Sequence, residues 1–277
     1  MKNRLIIFSK NRACQLHLLL ESIQKNGPEF FDEIVILYTA QDDYLEGYNR
    51  LRAHFPESGS AGIRYVAESN FREDLLALIG DDDTAFTTLL VDDAIMYRPV
   101  TTTKDTTLSA ITDDVVCFSL RLGLNCTYSH PVDISYNLGE HEVLGEFLKF
   151  DHRQQMKGDF RFPLSTDGHI YKTKLLKSLL ERTEFINPNS LEFRLQELAT
   201  TTAIPDMVVC FKESKIFSAP VNAVNMYKEH KYGLDYFIPE KALNKKYLAG
   251  EVIDLDALDF SKVDGPHREI HFSYRKL

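Results

Sequence analysis

A chain of 277 residues with 44% apolar and 26% charged residues can bury a full core and has an ordinary globular balance. Its net charge of −9 argues against a broad surface that tracks nucleic acid or anionic lipid, since both need clustered Lys and Arg; a local basic pocket remains compatible. Cys14, Cys117, Cys126 and Cys210 are widely spaced with no Cys-x-x-Cys pair, which reads as reduced core thiols of a cytosolic protein.

The first apolar run, Leu5 to Phe8, is of the kind expected in a strand buried on both faces. It ends in polar Ser9-Lys10-Asn11-Arg12, which is no signal-peptide pattern. No run reaches the ~18 apolar residues that a membrane span needs, so a soluble or at most peripheral, cytoplasmic protein is expected. Gln15, Leu16, Leu19, Leu20 and Ile23 recur at helical spacing until Asn26-Gly27-Pro28. Glu33 to Tyr38 reads as a second strand, and Tyr44, Tyr48, Leu51 and Phe55 mark a second helix. Ile63 to Val66 is a third strand, Phe71 to Ile79 a third helix, and Thr84 to Val91 a fourth strand. This alternation predicts an α/β fold with a mostly parallel central sheet flanked by helices and right-handed crossovers.

Asp92-Asp93 follows the fourth strand and precedes Ala94-Ile95-Met96. Adjacent carboxylates repel and cost desolvation unless a cation sits on them, and a hard divalent ion with oxygen ligands meets that need; the bland reading is a solvated turn. Gly80-Asp81-Asp82-Asp83 has the higher charge density but follows a helix and reads as a C-cap and loop. In open α/β sheets ligands bind beyond the carboxyl ends of strands, where Ser9 to Arg12, Tyr38 to Ala40 and Asp92-Asp93 would all lie. There is no Gly-x-Gly-x-x-Gly after the first strand and no Gly-x-x-x-x-Gly-Lys-Ser/Thr, which departs from dinucleotide enzymes and P-loop NTPases.

With Val91-Asp92-Asp93 after a core strand and Phe8-Ser9-Lys10-Asn11-Arg12 after the first, the chain resembles the GT-A-fold, metal-dependent (DxD-type) bacterial glycosyltransferases of polysaccharide biosynthesis. The resemblance implies that Asp93 binds the Mn2+ or Mg2+ bridging a donor diphosphate, and that Asp92 reaches the ribose or supports the ion. It implies that Ser9, Asn11 and Arg12 hold the nucleotide and that Tyr38 and Thr39 lie near its base, with a UDP-sugar the leading donor. Arg12 is otherwise a solvated arginine at a helix start, and Tyr38 the close of a strand.

Beyond the Asp pair, Thr101 to Asp113 reads as a connection with a short helix, and Val115 to Leu120 as a strand that delivers Arg121. Arg121 either holds donor phosphate or sugar, or makes a structural ion pair. Asn125 to Asn137 reads as a loop over the site. Phe147 to Phe150 starts a strand-like piece, and Phe160 to Tyr171 runs through a turn into another strand, followed by a helix bearing Leu175, Leu176, Leu179 and Leu180. Asn189 or Ser190 is expected to N-cap a further helix carrying Leu191, Leu195 and Leu198, with Glu192 in its first turn. A short helix is expected near Leu243 to Leu248.

Gly168-His169-Ile170-Tyr171-Lys172 followed by Ser190-Leu191-Glu192-Phe193-Arg194-Leu195 is similar in layout to the acceptor half of inverting GT-A enzymes, though Leu191 stands where a first acid belongs. The resemblance implies Glu192 as general base; otherwise it is a capping acid. Asp167 is the alternative base, an acceptor-binding carboxylate, or simply the Asp of an Asp-Gly turn. His230 lies where some GT-A enzymes place a metal-bound histidine, and His169 reads as structural. The expectation is one globule, residues 1–122 forming the donor half and 123–277 the acceptor half. It would be a divalent-metal-dependent hexosyltransferase acting on a glycan or other hydroxyl acceptor. A nucleotidyltransferase and a non-catalytic nucleotide- or carbohydrate-binding protein are the alternatives.

Overall fold

The computed structural model describes residues 1–57, 62–79, 85–222 and 236–277. A nine-stranded sheet is its centre. In chain order its strands are Asn3–Lys10 (β1), Glu33–Thr39 (β2), Ile63–Ala67 (β3), Phe86–Val91 (β4), Val115–Ser119 (β5), Glu142–Leu144 (β6), Phe147–Asp151 (β7), His169–Lys172 (β8) and Met207–Phe211 (β9). The spatial order is β3-β2-β1-β4-β8-β5-β9-β7-β6. The pairs from β3 to β4 are parallel, as is β5 with β9. The other four pairs are antiparallel, but only β7 and β8 run against the remaining strands, so the sheet is mostly parallel in strand direction, as the alternating pattern predicts.

Helices Ala13–Asn26 (α1), Asp42–His54 (α2), Phe71–Ile79 (α3), Lys104–Ser109 (α4), Thr173–Leu180 (α5), Pro188–Thr201 (α6) and Glu240–Leu248 (α7) accompany the sheet. The middle of β1, Leu5 to Phe8, is continuously apolar because it packs on both faces. Leu5 and Ile7 join a core with Leu16, Leu19 and Ile23 of α1, whereas Ile6 and Phe8 join a second core with Phe71 and Leu75 of α3. The four cysteines are buried and free. Among the described residues no helix is long and apolar enough to cross a membrane.

Two local expectations need correction. Asn187, rather than Asn189 or Ser190, caps α6: its side chain accepts from the Ser190 amide at 2.8 Å, and Pro188 takes the first helical position, where its fixed φ is pre-organised. Glu192 consequently lies beyond the first turn, away from the orphan amides. The expected loop over 125–137 contains a small hairpin, Tyr128–Ser129 against Ile134–Ser135. Asp81, Asp82, Asp83 and His230 lie outside the described residues.

The placement of β8 matters most for the site. It runs antiparallel between β4 and β5, pairing His169 with Leu89 on one side and Ser119 on the other. Its amino end therefore lies at the carboxyl ends of its neighbours. Gly168 takes φ +77 at this bend, a conformation open to glycine at little cost. The turn before β8 is thus delivered to the sheet edge already occupied by Asp92, Asp93 and Arg121.

Candidate active site

A cleft of about 1820 Å³ opens along that edge. Ser9, Arg12, Thr39, Asp92, Asp93, Arg121, Asp167 and Glu192 all line it. Asn11 and Tyr38, expected at the nucleotide, are not among the side chains that line it. Asn11 adopts φ +59 and exchanges side-chain hydrogen bonds with Gln41 at 2.9 and 3.1 Å, so it ties the first loop to the start of α2. Tyr38 shares the β2 face of Ile34 and Ile36, stacks on Tyr48 at 4.7 Å and accepts from Arg52 at 2.6 Å.

Arg12 is buried against the Asp pair. Its Nη1 donates to Asp92 Oδ1 at 3.0 Å and Asp93 Oδ2 at 3.1 Å, and its Nη2 to the Asn222 carbonyl. The solvated reading of Arg12 is thereby overturned, because desolvated carboxylates hold the guanidinium. The Lys10 amide occupies the other Asp92 oxygen at 3.1 Å. Burial opposes the charge on Arg12, but the two carboxylates outweigh it and raise its pKa. Burial pushes Asp92 up to about 6, against the pull of Arg12 and with help from Asp93.

A second cluster gathers around Arg121. Arg121 donates to Ser165 Oγ at 3.0 Å, Asp167 Oδ2 at 3.3 Å and Asp159 Oδ1 at 3.1 Å. Tyr136 completes Asp159 at 2.9 Å, and Ser218 Oγ donates to Asp167 Oδ2 at 2.8 Å. Asp167 Oδ1 is buried without a partner among the described residues. Burial raises Asp167 to about 6, countered by Arg121 and Ser218 and reinforced by Asp93 and Glu192. Glu192 is half-buried, and its Oε1 accepts from Ser165 Oγ at 2.6 Å and the Thr166 amide at 3.3 Å. His169 is buried beside the Pro163 carbonyl, in keeping with a structural role.

Carboxyl-selective carbon-13 NMR is expected to find two aspartates, Asp92 and Asp167, titrating near 6. Both folded values lie above the unfolded one, so the folded state binds more protons in that window. The contribution of each to stability is therefore full below about 4 and lost as pH rises through about 6. Titration of both at the ordinary carboxylate position would show that water reaches them.

The inner wall carries Asp92, Asp93, Asp159, Asp167 and Glu192 against the buried guanidiniums of Arg12 and Arg121, and both guanidiniums are engaged by these acids. Among the described residues no group of three His, Cys, Asp or Glu is arranged to hold a metal ion. Asp93 has one oxygen on Arg12 and no described partner on the other. That oxygen donor is of the kind that would hold a hard divalent ion. Asp159, Ser165, Ser218 and Asn222 carry no sequence signal for membership of this site, since nothing in their spacing tells which strand edge they approach.

No family model matches the sequence, and no curated protein matches it. Some solved structures are similar at low identity. S. aureus TarS in complex with UDP gives a TM-score of 0.49 at 14% identity, covering 79% of this chain and 61% of that one. The mannosyltransferase PcManGT from Pyrobaculum calidifontis in complex with GDP-Man and Mn2+ gives 0.41 at 14%, covering 76% and 56%. The bifunctional IspDF from Campylobacter jejuni gives 0.35 at 13%, covering 70% and 47%. The chain thus spans less than two thirds of the length of each of these.

Proposed function

We propose that this chain transfers a glycosyl group from a nucleoside-diphosphate sugar to an acceptor hydroxyl with the help of Mn2+ or Mg2+, in the manner of a GT-A glycosyltransferase. The observation that carries this reading is the convergence on one cleft of the Asp92-Asp93 turn and the Asp167 and Glu192 carboxylates, delivered by separate strands and a helix. A diphosphate entering this wall meets acids whose guanidinium partners are already engaged. An added cation beside Asp93 would offset this repulsion at the inner end of the cleft, and Asp93 has the oxygen to hold it. When bound, the cation supplies Lewis-acid neutralisation of charge developing on the leaving diphosphate.

The protein's own groups divide the remaining work. Arg12 fixes the orientation of both aspartates and leaves the second Asp93 oxygen without a described partner. Asp167 is a positioning group: Ser218 and Arg121 hold one of its oxygens and the other is buried, so it fixes the Arg121 guanidinium in the wall. Glu192 is the general base: Ser165 and Thr166 anchor one oxygen, and its partial exposure admits an acceptor hydroxyl.

Calorimetric titration of UDP and GDP, with Mn2+ and with chelator, tests the reading. One nucleotide is expected to bind only with Mn2+, and Asp93→Ala to weaken it at least about tenfold, since removal of a single ligand to the ion suffices for that loss. A folded wild-type protein that binds neither nucleotide, or binds equally well in chelator, would overturn the proposal. Metal-dependent binding without turnover of any nucleotide sugar would move the assignment to a binding protein.

A further inference from the structure

The mouth of the cleft displays side chains that the transfer chemistry does not use. Phe162, Ile186 and Phe193 line it and are 51%, 80% and 61% exposed, and Met156, beside Lys157, is 90% exposed. Large apolar side chains grouped around one opening mark an interaction surface rather than random surface composition. The turn that carries part of this group is anchored. Gly158 has φ +79, and a Cβ there would lie 2.3 Å from the Tyr136 ring. Asp159 is held by Arg121 and Tyr136, and Phe160 is buried. The backbone is thus secured from within, while Met156, Lys157, Arg161 and Phe162 point outward.

Charge indicates what covers this rim. Lys157 and Arg161 line the same mouth, are exposed, and have no ion-pair partner among the described residues; neighbouring Arg153 pairs with Asp206. The overall charge of −9 argues against a broad lipid-binding surface, but here two unneutralised cations stand among exposed aromatic and aliphatic groups. We propose that this rim docks on an anionic lipid bilayer. Phe162, Ile186, Phe193 and Met156 enter the headgroup and acyl boundary, and Lys157 and Arg161 meet lipid phosphates. Docking would turn the cleft toward the membrane, so a lipid-borne acceptor could reach Glu192 without leaving it. The docking itself does not depend on the transfer reading.

Co-sedimentation with vesicles tests the proposal, using the full chain. The wild type is expected to sediment with equal parts of phosphatidylcholine and phosphatidylglycerol, to remain in solution with phosphatidylcholine alone, and to be released by high salt. Lys157→Glu combined with Arg161→Glu, and separately Phe162→Ser combined with Phe193→Ser, should each weaken partitioning at least about tenfold. Their thermal melts and nucleotide titrations report folding and the donor site independently of lipid. Failure of the wild type to sediment with the mixed vesicles, equal binding to both vesicle types, or sedimentation of the folded variants like the wild type would overturn it. Loss of nucleotide binding in the wild type would count against the transfer reading alone.

Discussion

Glu192→Gln is expected to lower the rate of glycosyl transfer by about 10²- to 10⁴-fold, the range that a positioned general base contributes, while nucleotide binding stays close to wild type. The amide retains an oxygen to accept from Ser165 and Thr166, so the local geometry survives and only the basic oxygen is lost. Release of nucleoside diphosphate from a donor sugar, with water in the acceptor's place, measures the step before an acceptor is identified. The loss should fall on kcat, because Glu192 is anchored by Ser165 and Thr166 and not by the Asp92-Asp93 turn. Asp167→Asn should behave differently, lowering stability as well as kcat, since Asp167 pairs with the buried Arg121. Wild-type turnover in Glu192→Gln together with a kcat collapse in a stably folded Asp167→Asn would move the base assignment to Asp167.

Arg121→Met is expected to cost about 3–5 kcal/mol of stability near neutral pH, the size of effect seen when one partner of a buried ion pair is removed. The side chain of Arg121 is almost fully buried, and its loss leaves Asp159 and Asp167 uncompensated beside Glu192. The penalty has a definite pH dependence. Asp167 already stands at about 6, and without the guanidinium its carboxyl becomes still harder to ionise. The folded variant then holds a proton that the unfolded chain releases above about 4, so its stability falls as pH rises through that window and recovers on acidification. Urea midpoints of variant and wild type should therefore lie closer at pH ~5 than at pH ~8. A loss under about 1 kcal/mol with no pH dependence would mean that water, rather than Arg121, stabilises these acids.

Local patterning made much of the scaffold legible. The continuous apolar run of β1, the helical spacing ending at Asn26, and the bounds of α3 all follow from side-chain period and helix stop signals, because burial on one or two faces writes itself directly into neighbouring residues. Asp92-Asp93 was legible as the end of a strand for the same reason. Only the tertiary structure decided what meets that pair, because Arg12 is close to it through the parallel pairing of β1 with β4 and not through sequence distance. The pleat likewise turned Tyr38 toward Tyr48 and away from the cleft. The second cluster depended on β8 entering the sheet antiparallel between β4 and β5, which brings Asp167 to Arg121 and Ser218. Periodicity reports which residues are buried; strand order and direction, set by the packing of the whole chain, report which of them meet.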